Sequence, residues 1–535
     1  MKLNRIFNVI GFTLIGICFL ISAYRMFSRS KEATNSKITT IRFSHSQLES
    51  GVREAFDLVA QEYMKLHPNV RVIQEPVPEK VYTNWLITQL IGETAPDLIW
   101  IGQGINDERL ARYFVPITSY VGQPNPYNQG TDLEGVPWRE TYLDGMAGAY
   151  NLGLLEYYAA SNAIHVVRLF YNQELLKKIS GLDAPPRDYE TFIQLCDQIR
   201  DYSQKTGNAV IPIAGSQYNA QYMLTPLFST QTQKMIFSPR ALYALRPEWG
   251  SGLAPSYWRG EWRLNTPEIR SGLKIMHEMG RNMQPGFLQL QREDATFYFV
   301  QQRAVMIASG SWDSSGIHEE TQGLFHVGIS PLPLPAKSSS EYGKYVLGAV
   351  SEAYSKAAGG FGIPRCAKSF EVALDFQRFI TSQKGNQIFV NRSGWLPVVR
   401  GVKIPEELKP FQPVYEGYPI AFNIVWEANT KRVVNNALDK LYSVNGGVDS
   451  FIQALEPNYS EALRQDYQSL LKTQYRNALR LEISSEGLRQ LTLRHSESQD
   501  LENKSAEMME VLSTTESEFL RGQYFLQQAK NQGSK

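Results

Sequence analysis

Residues 38–76 read ITTIRFSHSQLESGVREAFDLVAQEYMKLHPNVRVIQEP. Ile38 to Ser44 is a short strand pattern with Ile41 and Phe43 on one face. Val52, Ala55, Phe56, Val59, Tyr63 and Leu66 then recur at three- and four-residue spacing, which predicts an amphipathic helix ending at Pro68. Val70 to Ile73 resumes as a strand, Val81, Trp85, Leu86 and Leu90 line a second helix, and Asp97 to Ile101 is a third strand. This βαβαβ succession predicts an α/β fold, a parallel sheet covered by helices on both faces.

Upstream, Ile6 to Ala23 carries no charge, with Lys2 and Arg5 before it and Arg25, Arg29 and Lys31 after it. At ~1.5 Å per residue such a stretch, if helical, comes close to crossing a bilayer core of ~30 Å. It reads as a secretory signal or as an uncleaved transmembrane anchor, with residues 1–37 as leader and tether. Ile17 before Cys18 argues against lipid attachment, where a small residue belongs. Both readings put the rest of the chain outside the cytoplasmic membrane, in a periplasm or equivalent space.

The balance of the 535 residues is that of a globular protein, with 43% apolar residues and a net charge of +1. That charge provides no electrostatic reason for a nucleic-acid partner. Cys18, Cys196 and Cys366 are the only cysteines, too few for a disulfide framework or a multi-thiolate metal site. Cys196 and Cys366 stand either as one bridge or as two separate thiols. The chain contains no HExxH zinc motif, P-loop or G-x-S-x-G elbow, and Gly102-Gln103-Gly104 lacks the third glycine of a dinucleotide loop.

Open α/β sheets bind ligands beyond the carboxyl ends of their strands. Two loops of the first unit occupy that position: Ser44 to Gln47, with His45, and Trp100 to Gly104, with Gln103. Trp100 fits either a core or a site wall, where its plane would suit the apolar face of a sugar ring. Further on, Ile164 to Phe170 reads as a strand, Gln173 to Ile179 as a helix ending at Gly181, and Asp188 as the cap of another helix. Trp249, Tyr257, Trp258 and Trp262 form an aromatic segment suited to a wet cleft or to surface packing. Ala304 to Ala308 reads as a buried strand whose exit, Ser309-Gly310-Ser311, places Trp312 just beyond the strand end.

Several segments in order resemble extracellular solute-binding proteins of the sugar-binding type, which feed ATP-driven importers. They are Ala95-Pro96-Asp97-Leu98-Ile99, Phe170-Tyr171-Asn172-Gln173-Glu174-Leu175-Leu176, Pro185 to Phe192, Ala304 to Ile307 with Gly310 and Trp312, Gly360-Phe361-Gly362-Ile363-Pro364, Ala373 to Ser382, and Gly394-Trp395-Leu396-Pro397. The resemblance implies a two-lobed clamshell with inter-lobe crossovers, lobe 1 holding 38–155 and 312–340 and lobe 2 holding 156–311 and 341–460. It implies noncatalytic, reversible capture of a mono- or oligosaccharide without cofactor or metal, and delivery to the membrane component of an importer. Carried over by position, the ligand-binding residues are His45, Trp100, Gln103 and Trp312, with Trp395 and Trp426 from the second lobe. Gln103 stands where the family tends to place an acidic residue.

Residues 461–535 exceed what a binding protein of this kind needs. Ala462, Leu463, Tyr467, Leu470, Leu471, Tyr475, Ala478 and Leu479 recur largely at helical spacing and predict a helical extension outside the clamshell. Docking on the lobes, self-association and contact with the importer all fit such a tail. A sensor signalling through the tail and a carbohydrate-active enzyme are the alternative functions.

Overall fold

β1 (Thr39–His45) is an interior strand of the first sheet, and Ile41 and Phe43, which share one face, are fully buried. The computed structural model describes residues 38–102, 105–151, 154–236, 253–352, 360–418 and 422–533. After β1 come α1 (Ser50–Leu66), β2 (Val70–Pro76), α2 (Glu79–Ile91) and β3 (Leu98–Ile101), and β1 pairs in parallel with both β2 and β3. α1 buries Val52, Ala55, Phe56, Val59 and Tyr63, the face its periodicity predicts. α3 (Asp107–Tyr113) and α4 (Thr118–Val121) lead to a two-residue ribbon, β4 (Tyr150–Asn151) with β5 (Glu156–Tyr157).

The chain then crosses into a second sheet. It forms β6 (Val167–Asn172), α5 (Gln173–Ser180), α6 (Tyr189–Thr206), β7 (Ile211–Ala214), α7 (Gln217–Ile236), α8 (Leu253–Trp258), α9 (Pro267–Gly280), α10 (Arg292–Val300) and β8 (Ala304–Gly310). Two caps fall as predicted: Gly181 closes α5 in the left-handed region at φ 74°, and Asp188 accepts from the Thr191 amide; Asn172 also caps α5, accepting from the Leu175 amide. α11 (Ser314–Thr321) returns to pack on α1, and β9 (Val327–Ser330) pairs antiparallel with β6. β10 (Gly360–Gly362) pairs antiparallel with β3, followed by α12 (Phe370–Ile380) and α13 (Gln383–Ser393), both packed on α1. The first sheet therefore runs β10-β3-β1-β2 and the second β7-β8-β6-β9, a two-lobed α/β clamshell.

The allotment of segments differs from the expected one in two places. β9, expected with lobe 1 as part of 312–340, completes the second sheet, and β10, expected with lobe 2 as part of 341–460, completes the first. Strand pairing decides this. Gly360 and Gly362 have no side chain, and a Cβ on either would press on the backbone of residues 158–161, so β10 fits beneath the crossover. Cys196 and Cys366 are both free, and burial pushes the Cys196 thiol upward. The expected transmembrane helix has no counterpart: among the described residues no helix is long and apolar enough to cross a membrane, and residues 6–23 lie outside them.

α14 (Ala428–Tyr442) is followed by two long helices, α15 (Val448–Arg494) and α16 (Gln499–Gly533), packed as a hairpin. α15 runs through Pro457, so position 460 is interior to a helix. Its first half belongs to a third apolar cluster in which Tyr459, Leu463 and Tyr467 are buried with Tyr257, Trp262 and Phe422. The aromatic segment near residue 260 is thus a seat for the tail; Trp249 lies outside the described residues. Asp466, 1% exposed, accepts from the Asn429 and Thr430 amides at 2.9 and 2.8 Å and from the Thr430 hydroxyl at 2.7 Å, capping α14 from α15. At its far end the hairpin meets the β4–β5 ribbon: Tyr150 donates to Glu507 at 2.9 Å, Lys504 pairs with Glu156 at 3.0 Å, and Leu155 packs with Ala478, Leu481 and Met508. The tail therefore touches both lobes. Gly522 permits this close helix pairing, since a Cβ there would strike Leu471.

Two outcomes follow from this packing. Tyr459→Ala removes a buried ring and the hydrogen bond from its hydroxyl to the Ile424 carbonyl, at 2.8 Å. It should destabilise the protein by about 3–5 kcal/mol, whereas Leu493→Ser on the exposed part of the same helix should stay within about 0.5 kcal/mol; urea unfolding measures both. His45 is buried, and burial lowers its imidazole from 6.5 to about 4. The unfolded chain takes up that proton first, so this contribution to stability is complete above pH 6.5 and declines as the pH falls towards 4. His45→Gln should flatten the fall of the unfolding midpoint over that window.

Candidate functional site

β8 ends at Gly310, and a turn of 3-10 helix (Ser311–Asp313) sets Trp312 beyond the strand end. A Cβ at Gly310 would strike the indole, so glycine is what lets the ring fold back over the strand. Trp312 remains half-buried while its neighbours Ser311 and Asp313 are buried. On one side its ring meets His165 edge-on at 5.5 Å, and on the other it meets Tyr222 at 5.3 Å. His165 in turn meets Trp395 at 4.3 Å, Trp395 meets Trp100 at 6.2 Å, and Tyr222 meets Tyr218 at 5.0 Å. Six rings thus run from the core of the first lobe, through the crossover before β6, to the first turns of α7.

Local structure fixes each end of this row. Asn219 reads the Ser216 hydroxyl through its amide N–H and donates its side-chain NH₂ to the Ala308 carbonyl at 2.9 Å, which ties α7 to β8 and sets Tyr222 opposite Trp312. The Trp395 indole N–H donates to the Trp312 carbonyl at 3.4 Å, across the junction. Burial holds the His165 imidazole down to about 3, so it is neutral. Its Nδ1 and the Trp312 Nε1 are both buried without a hydrogen-bond partner. Unpaired groups of this kind cost about 1–3 kcal/mol each, a cost a ligand hydroxyl can offset.

A cavity of about 890 Å³ opens beside this pair, between the start of β6, α7 and residues 331–352. His165, Tyr222 and Trp312 supply aromatic wall, and Gln221, Thr225 and Ser351 supply polar atoms. Of its charged lining residues, Arg168 and Glu352 are matched to each other, and Lys337 is exposed. Arg168 makes a two-pronged contact with Glu352 at 2.6 and 3.0 Å and donates further to the Pro410 and Gln412 carbonyls. A second cavity of about 570 Å³ lies across α7 and shares Gln221 and Thr225 with the first. Arg292, on its rim, lies over the Tyr218 ring, contacts Asp313, and reaches Glu49 of the first lobe at 3.3 Å. Among the described residues no group of His, Cys, Asp and Glu side chains is placed to hold a metal ion.

The residues singled out from the sequence separate into three places. Trp312 borders the cavity, with Trp395 and Trp100 stacked behind it, fully buried and 5% exposed respectively. His45 sits in the first core against Phe56; its Nδ1 accepts from the Gln47 amide, and its Nε2 hydrogen-bonds the Gln74 Oε1 at 2.9 Å. Trp426 lies against Tyr467 of the tail, 5.8 Å away, and Gln103 lies outside the described residues. Tyr218, Gln221 and Tyr222 were not singled out. Their signal was a Tyr pair spaced by four residues in the helix opened by Ser216, directly after the strand Ile211–Ala214.

The family model for bacterial extracellular solute-binding proteins matches residues 59–410. Among solved structures, the GacH receptor of Streptomyces glaucescens GLA.O, studied unliganded and with acarbose, is 15% identical and covers 80% of this chain and 99% of its own, with a TM-score of 0.54. RafE in complex with raffinose is 16% identical over 79% of this chain and 100% of its own, with a TM-score of 0.54. Maltose-bound MalE3 of T. maritima is 15% identical over 80% and 99%, with a TM-score of 0.53. These likenesses describe the fold over about four fifths of this chain. With two α/β lobes and a family match over most of the chain, this protein belongs to the bacterial extracellular solute-binding proteins.

Proposed function

We propose that the protein captures a neutral mono- or oligosaccharide in the cavity beside Trp312, outside the cytoplasmic membrane, and delivers it unchanged to the membrane component of an ATP-driven importer. The observation that carries this reading is the half-buried Trp312 indole, edge-on to a neutral His165, with the Trp312 N–H and the His165 Nδ1 both unpaired. A sugar presents an apolar ring face to the aromatic wall and hydroxyls to such groups, so both kinds of surface are matched at once. The matched charges of Arg168 and Glu352 favour an uncharged ligand over an acidic one. Acarbose, raffinose and maltose are the ligands of the structurally similar proteins named above, which supports a carbohydrate here.

In this reading Trp312 and Tyr222 form the stacking surface, His165 and Gln221 meet hydroxyls, and Trp100 and Trp395 hold the row in place from behind. Closure follows from differential affinity: a ligand touching both lobes binds the closed form better and shifts the hinge equilibrium towards it. No bond in the sugar is broken. Association of two copies through the C-terminal helices belongs to the same reading of the chain's partners.

Calorimetric titration with a panel of neutral oligosaccharides, raffinose and maltose among them, tests the proposal. Trp312→Ala should weaken binding by at least about 1 kcal/mol, roughly fivefold, while Trp426→Ala, which alters the tail seat, should change it by less than about twofold. Affinity should be level from pH 8 to 5, because His165 stays neutral down to about 3. The bound sugar should be recovered intact by mass spectrometry. Equal affinity in Trp312→Ala, or a chemically altered sugar, would overturn the assignment.

A further inference from the structure

The hairpin gives its inner faces to itself and the lobes, yet α15 keeps a second apolar stripe. Residues 471, 474, 478, 481, 485 and 488 are buried, mainly against α16. Tyr475, Leu479 and Ile483, spaced by four residues on another face, are 49%, 42% and 76% exposed. Single exposed apolar residues need no explanation, but three in register along one helix make a surface. The stripe is bracketed by charge. Lys472 lies seven residues before Leu479 and Glu486 seven residues after it, each two helical turns away and so on the same face. Glu486 has Arg489 at 3.7 Å and the Gln490 amide at 2.9 Å, and both Lys472 and Glu486 are exposed.

This order is complementary to its own reverse: cation, Tyr475, Leu479, Ile483, anion. We propose that it is a self-association surface, on which a second copy of this chain docks antiparallel along α15 with the two-fold axis at Leu479. An isologous contact requires a patch complementary to itself under a two-fold rotation. In this register Leu479 meets Leu479, Tyr475 packs beside Ile483 of the second copy, and Lys472 faces Glu486 of the second copy at both ends. A parallel alignment would set Lys472 on Lys472 and Glu486 on Glu486, so charge selects the antiparallel arrangement. The stripe lies outside the family-matched region and away from the cavity, and the inference does not depend on the identity of the ligand.

Light scattering and sedimentation equilibrium on the full-length protein test it. The expected result is a concentration-dependent mass reaching twice that of one chain. Lys472→Glu and Glu486→Lys should each raise the dimer dissociation constant at least about tenfold, since each places like charges opposite one another twice. The double variant Lys472→Glu/Glu486→Lys restores both pairs and should return within about threefold of the parent. Both exchanged positions are exposed, and circular dichroism should show unchanged helix content. A single-chain mass at every concentration would overturn the proposal, as would a dimer indifferent to the reversals or a double variant weaker than either single one.

Discussion

The row of rings through Trp100, Trp395, His165, Trp312 and Tyr222 is the joint on which the two lobes meet. Aromatic pairs prefer tilted or edge-on contacts, and each such contact fixes orientation as well as distance. All five rings come from separate parts of the chain, so the row forms only when both sheets are complete. Its inner end is buried and rigid, and its outer end is half-open to the cavity. A ligand arriving there meets a wall that has little freedom left to lose, the condition under which contact area converts to affinity.

Charge is arranged around this joint rather than in it. Arg168 is matched by Glu352 and two carbonyls, and Arg292 by Asp313 and Glu49, so the strong fields are neutralised locally. His165 is kept neutral by burial alone. Apart from the exposed Lys337, what remains towards the cavity is aromatic and apolar surface, amide and hydroxyl. The Arg292 contact to Glu49 also joins the lobes, and it is the more adjustable of the two links because ion pairs tolerate displacement better than packed rings do.

The C-terminal hairpin adds a third contact between the lobes. Its attachment to the second lobe is apolar and capped by the buried Asp466, while its attachment to the first combines Leu155 with two polar contacts near Glu156. The first kind of contact is strong and long-lived; the second exchanges readily with water. The hairpin therefore belongs structurally to the second lobe and rests on the first, a distribution that leaves lobe movement possible.

Much of this was written in local sequence. The period of α1, the caps at Asn172 and Asp188, the glycine stop at Gly181 and the strand exit that presents Trp312 each depend on residues within a turn or two of one another, where spacing alone dictates conformation. Other features were decided between distant segments. Whether β9 and β10 joined one sheet or the other depended on which edge offered free N–H and C=O groups, and strands of three or four residues carry no record of that choice. Trp100 and Trp426 looked alike as aromatics near strand or helix ends, but one is packed behind Trp395 and the other under Tyr467. Tyr222 entered the site because Asn219 ties its helix to Ala308, 89 residues away. By itself the sequence determined the elements, the two-lobed class and the presentation of Trp312; only the tertiary structure decided which rings meet, because burial and contact are properties of two surfaces, and one stretch of chain contains only one of them.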